Sequence, residues 1–135
     1  MSDRQQIMQT IEAGYAARVR GDLDGVMQAF CDGACFRLNT TPVEPALAHF
    51  AEDRNALRAS MAQLIDNFDF RDLKILDCII EGSKAAVHST LTVRAKGTGK
   101  EIQTELFDLM EFKDGKIASF TQFFDTASAM GLLAK

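Results

Sequence analysis

Residues 104–125 read TELFDLMEFKDGKIASFTQFFD. They spell two β-strands joined by a tight turn. The turn is Lys113-Asp114-Gly115-Lys116; its Asp-Gly pair suits a two-residue hairpin, in which both central residues take positive φ. Side chains alternate along a strand, so Leu106, Asp108, Met110 and Phe112 share one face. Glu105, Phe107, Leu109 and Glu111 share the other. On the second arm Phe120, Gln122 and Phe124 lie together. A carboxyl and an amide among Leu, Met and Phe make a polar spot on an apolar surface, and the search for function starts there.

The whole chain of 135 residues is long enough for one domain, 1–135, with a proper core. Its 47% apolar and 25% charged residues are ordinary globular values. A net charge of −4 without a basic run argues against a nucleic-acid partner. No apolar run suits a membrane span or a leader. Cys31, Cys35 and Cys78 form no CxxC pair and are expected to be reduced, buried small residues. Together these features lead to the expectation of a cytoplasmic protein.

Residues 3–20 read as an amphipathic helix, with Ile7, Ile11, Tyr15 and Val19 at helical spacing and Ser2 or Asp3 as cap. Arg18 and Arg20 fall in its last turn, where cations suit the helix dipole. Asp22 caps a short second helix with an apolar face of Leu23, Val26, Met27 and Phe30. Asp32-Gly33 reads as a turn, and Ala34–Asn39 as a strand. Thr40, Thr41, Pro42 and Pro45 make residues 40–52 a loop that arches over a cavity or forms a small hairpin. Asp53 caps a third helix running to Asn67, its inner stripe Leu57, Met61, Leu64 and Ile65. Strands follow at 70–81, 85–96, 101–113 and 116–125. The last ten residues are either a helical turn or a frayed end.

Helices followed by antiparallel strands define an α+β layer packing. A curved antiparallel (mixed) sheet wrapped around three N-terminal helices leaves a conical central pocket, the usual place for a small ligand. The segment Tyr15 to Phe36, with its RGDLDGVMQAFCDGACF, and the hairpin FDLMEFKDGKIASFTQFFD (Phe107–Asp125) resemble the nuclear-transport-factor-two-like fold. The likeness is to its SnoaL-like polyketide cyclase and ketosteroid isomerase branch, a cone-shaped, cystatin-like roll.

That resemblance implies roles. Tyr15 corresponds to a hydroxyl donor from the first helix, and Asp108 to a protonated carboxyl donor on the next-to-last strand. Such donors stabilise an enolate oxygen in an apolar pocket, provided burial keeps the carboxyl neutral. The isomerase base, a carboxylate on the first strand, falls here on Leu38, with Asn39 beside it. Neither takes a proton at neutral pH. Asp125 is a further carboxylate near the pocket, or a strand-end cap. His88 is a candidate acid/base group, on whichever face it shares with Thr90 and Thr92; the opposite face carries Val87, Leu91 and Val93.

Phe36, Leu38, Met61, Met110, Phe120, Gln122 and Phe124 are the expected ligand-contacting wall. Plainer readings stand beside these. Tyr15 is then a core residue with its hydroxyl at the rim, Asp108 pairs with an arginine such as Arg18 or faces water, His88 is exposed on the outer face or satisfied in a subunit interface, and His49 is a solvated loop residue. Two lone histidines make no metal site. The functions in view are a cofactor-independent isomerase, cyclase or hydratase acting on a small apolar carbonyl compound, polyketide- or steroid-like, a non-catalytic binder of such a ligand, and a dimerisation module. A homodimer is expected through the outer sheet face, with Phe107, Leu109 and residues of the 70–81 strand.

Overall fold

The computed structural model describes residues 3–39 and 47–135. Ser2 and residues 40–46, with Pro42 and Pro45, lie outside the described residues. Helix α1 spans Asp3–Arg20 and α2 Leu23–Gln28. Strands β1 (Phe30–Leu38) and β2 (Phe50–Ala51) follow, then α3 (Arg54–Asn67), β3 (Phe68–Glu81), β4 (Lys84–Ala95), β5 (Glu101–Lys113), β6 (Lys116–Phe124) and α4 (Thr126–Leu133). The six strands form one mixed, unclosed sheet in the order β2-β1-β6-β5-β4-β3. All pairs are antiparallel except β1 with β6. The curved sheet and its helices make an α+β cone.

The helix ends follow from local chemistry. Asp22 and Asp53 accept from the backbone N–H of Gly25 and Ala56, at 3.0 and 2.8 Å, and so satisfy donors the first helical turn leaves open. Gly25 is required by space as well. A Cβ there would lie 2.6 Å from the Asp22 carboxylate and 2.9 Å from Ala17 Cβ, so α2 can approach α1 only without a side chain. The β5–β6 turn has φ 51° at Asp114 and 78° at Gly115, as the Asp-Gly pair demands.

One face of the sheet is buried against α1 and α3. Leu106, Asp108, Met110 and Phe112 on β5 meet Val87, Ser89, Leu91 and Val93 on β4, and all point inward. From the helices, Ile7, Ile11 and Tyr15 of α1 and Leu57, Met61 and Leu64 of α3 join the same core.

Five expectations need correction. Phe30 opens β1 rather than closing the face of α2, and Asp32-Gly33 does not end a segment. Gly33 at φ 76° instead bulges inside β1, where the pairing with β6 slips between Phe30 and Cys35. The end of the chain is neither a single turn nor frayed: α4 is capped by Asp125 and buries Ala129 and Leu132. Thr98 Oγ1 on the β4–β5 connection donates to Leu132 O at 2.7 Å and pins that helix. Cys35 is exposed rather than buried. The segment before β2 buries His49 at 7% exposure, where a solvated loop residue was expected.

Candidate functional site

Between α1, α3, α4 and the inner sheet face lies a cavity of about 120 Å³. Its wall is mostly apolar. The expected residues Phe36, Leu38, Met61, Met110, Phe120, Gln122 and Phe124 all line it, and so does Tyr15. Strand parity explains the grouping: Asp108 and Gln122 are cross-strand partners, as are Met110 and Phe120. Phe120 packs its ring against Phe36 at 5.6 Å and Phe30 at 6.0 Å, which stiffens one side of the wall.

Asp108 differs in one respect from expectation. It faces inward and is completely buried, but it does not form part of the cavity wall. Tyr15 lies between them, its hydroxyl donating to Asp108 Oδ2. The other carboxyl oxygen, Oδ1, has no hydrogen bond of ordinary geometry among the described residues. Burial raises the Asp108 carboxyl from 3.8 to about 7, and the Tyr15 and Gln122 side chains offset only part of that rise. Burial and the neighbouring carboxyl push the Tyr15 phenol well above its usual range, so its proton stays on. Asp108 does not pair with Arg18 among the described residues: it is bonded to Tyr15, and Arg18 donates to Leu64 O and Phe68 O.

The pair has two states near neutral pH. With Asp108 ionised, Tyr15 donates to it and presents oxygen lone pairs to the cavity. With Asp108 neutral, the carboxyl O–H can donate a hydrogen bond to the Tyr15 oxygen, which frees the phenolic O–H to donate to a ligand. Burial, by raising the carboxyl toward neutrality, brings the neutral state within reach at physiological pH.

The first-strand base is absent in fact as in sequence. Leu38 is buried on the cavity wall. Asn39 is a clamp for the β1–β6 pair: its backbone N–H donates to Gln122 O and its side-chain oxygen accepts from Phe124 N–H, both at 3.1 Å. Asp125 reaches the wall, but Ser128 occupies both its oxygens, through the backbone N–H at 3.0 Å and the hydroxyl at 2.8 Å. Those bonds hold it below the usual carboxylate range, which makes it a poor base.

His88 must be removed from the site. It lies on the outer face of β4, with Thr90 and Thr92, while Val87, Leu91 and Val93 point inward. Its ring sits 2.7 Å from Glu105 and 3.5 Å from Asp77, and the bond to Glu105 leads in raising its pKa. Among the described residues no group of three His, Cys, Asp or Glu side chains converges as a metal set would.

Two parts of the wall escaped the sequence reading. Ala129 and Leu132 close the cavity from α4. Arg18 lines it from α1, although in the sequence it read as a cation suited to the helix dipole or as a partner for Asp108. The available signal was its spacing, three residues beyond Tyr15 on one helix face.

Cone, cavity and buried donor pair together define a nuclear-transport-factor-two-like protein. Residues 11–120 match the model of the SnoaL-like domain family, and the chain belongs to that family. No curated protein matches the sequence. Among solved structures, an NTF2-like protein of unknown function from Burkholderia pseudomallei superposes with a TM-score of 0.85 at 24% identity, over 100% of both chains. TerC, co-crystallised with polyporic acid, gives 0.81 at 16% identity, over 95% of this chain and 98% of its own. A proposed polyketide cyclase from Xanthomonas campestris gives 0.77 at 18%, over 98% and 100%. At these identities the likeness is one of fold.

Proposed function

We propose that the cavity binds a small, largely apolar carbonyl compound and that the Tyr15–Asp108 pair serves its oxygen as a hydrogen-bond and proton donor. The observation that carries this reading is a fully buried carboxyl joined to the cavity through one phenol; burial raises its pKa. A preplaced donor in a dry site stabilises charge that develops on a carbonyl oxygen, with little reorganisation. The chemistry this suits is acid-assisted enolisation, cyclisation or dehydration, and it needs no cofactor. With Leu38 at the base position, removal of a proton from carbon is the weak half of any such reaction.

Cavity size narrows the ligand. An apolar cavity of about 150 Å³ holds benzene, and this one is about 120 Å³. The cavity is partly open to solvent, so the part of a ligand that it encloses is on the order of a single ring or a short chain. Titration of the labelled protein with cyclohexenone, followed by amide NMR, tests the reading. Shifts should centre on Tyr15, Met110 and Gln122, and Tyr15→Phe should weaken binding by about tenfold, the loss of one buried hydrogen bond. Saturating ketone without shifts at the wall would reject it.

A second reading, a non-catalytic binder or dimerisation module, is favoured by the missing base and by the outer sheet face. Leu76, Ile79, Phe107, Leu109 and Phe123 are all exposed there, more apolar surface than a sheet ordinarily leaves in water. The proposed homodimer pairs these faces. Leu109→Glu should then give a monomer in sedimentation, and a wild type that sediments as a monomer at high concentration would dismiss the pairing. A cytoplasmic location is proposed with it, consistent with three free cysteines.

A further inference from the structure

Arg18 is the one cation among the described residues lining the cavity. Its guanidinium is fixed on two sides. Nη2 donates to Leu64 O at 3.2 Å and to Phe68 O at 2.9 Å, and the group lies over the Phe70 ring, 3.8 Å from its centre. Both hydrogen bonds leave from one nitrogen of a fork that carries five N–H donors. Among the described residues no carboxylate forms an ion pair with it. Asp69 acts on it from further away and is held by Arg94 at 3.5 Å and Lys96 at 3.4 Å.

A structural role alone does not account for this arrangement. Leu64 O already accepts the capping N–H of Phe68, and a neutral amide could serve the same carbonyls. Drawing a cation even partly out of water with no carboxylate beside it is costly. The group stays charged even so: burial lowers it only to about 10. A rigid guanidinium on an apolar wall is the arrangement that binds a carboxylate with two parallel hydrogen bonds. Tyr15 and Arg18, three residues apart on α1, project to the same side of that helix.

We infer that the cavity's ligand is a carboxylate, a single-ring or short-chain acid, and that Arg18 is the specificity-determining residue that binds its anionic end while Tyr15 meets its other oxygen. This rests on the ligand-binding reading above and narrows it to the acid. Asp125 also reaches the wall, but Ser128 occupies both its oxygens, so it does not pair with Arg18.

Benzoate and benzamide have the same shape and differ in charge. In an amide-NMR titration of the full chain at neutral pH, benzoate should bind at least about tenfold more tightly than benzamide, with shifts on α1 and β5. Arg18→Met should bring the two affinities within about twofold of each other, chiefly by weakening benzoate. Arg18→Lys keeps the charge without the flat fork, and should keep part of the preference. If the Met variant does not fold, the Lys variant and the wild-type comparison carry the test. Equal affinities in the wild type, or an undiminished preference in Arg18→Met, would overturn the inference and leave the ligand-binding reading intact. Failure of both probes to shift any wall residue would overturn the two together.

Discussion

Tyr15 on the first helix and Asp108 on the fifth strand, 93 residues apart, share a buried hydrogen bond at the cavity wall. The phenol faces the cavity and the carboxyl stands behind it. This order makes Tyr15 the group that touches a ligand and Asp108 the group that sets what Tyr15 offers.

Stability should carry the signature of the buried carboxyl. Its folded pKa, about 7, is above the ordinary 3.8, so between those values the folded state binds the extra proton. The resulting stabilisation is complete below pH 4 and is lost as pH rises through 7. The whole effect is on the order of 4 kcal/mol. Asp108→Asn cannot titrate, so its stability relative to wild type should rise by a few kcal/mol between pH 4 and pH 8 in urea denaturation. A mutant-to-wild-type difference independent of pH would contradict the assignment.

Tyr15→Phe removes the hydrogen bond that favours the charged carboxylate. The Asp108 midpoint should then move above 7, and the fold should lose about 1–2 kcal/mol. A midpoint that falls, or stays where it is, would show that the two groups are not coupled as described.

His88 gives a control on the other side of the sheet. Glu105 raises its pKa, so its contribution to stability is present below about pH 6.5 and fades as pH rises through the raised value. His88→Ala should leave the Asp108 titration and ligand binding unchanged, within about twofold. A tenfold loss of binding would return it to the site.

Much of this was legible in the sequence. The parity of β5 and the Asp-Gly turn placed Asp108 inward, because a two-residue period and a positive-φ turn leave one register open. Helical spacing likewise set Tyr15 on the inner face of α1. The bulge in β1 was hidden because Asp32-Gly33 is equally good turn chemistry. Helix α4 was hidden because its eight residues, with Gly131 among them, carry no charge pattern. The face of His88 could have been settled, since Val87, Leu91 and Val93 are more apolar than Thr90 and Thr92. The spacing of Arg18 from Tyr15 was visible, but what fixes it was not: its partners, two carbonyls and the Phe70 ring, come together only in the folded chain.

The most direct measurement is a carboxyl-carbon NMR titration of Asp108 in the unliganded protein. A midpoint near 7, moved upward in Tyr15→Phe, is the predicted result. A midpoint near 4 would mean that the carboxyl is solvated or ion-paired, and the donor pair at the cavity wall would not exist.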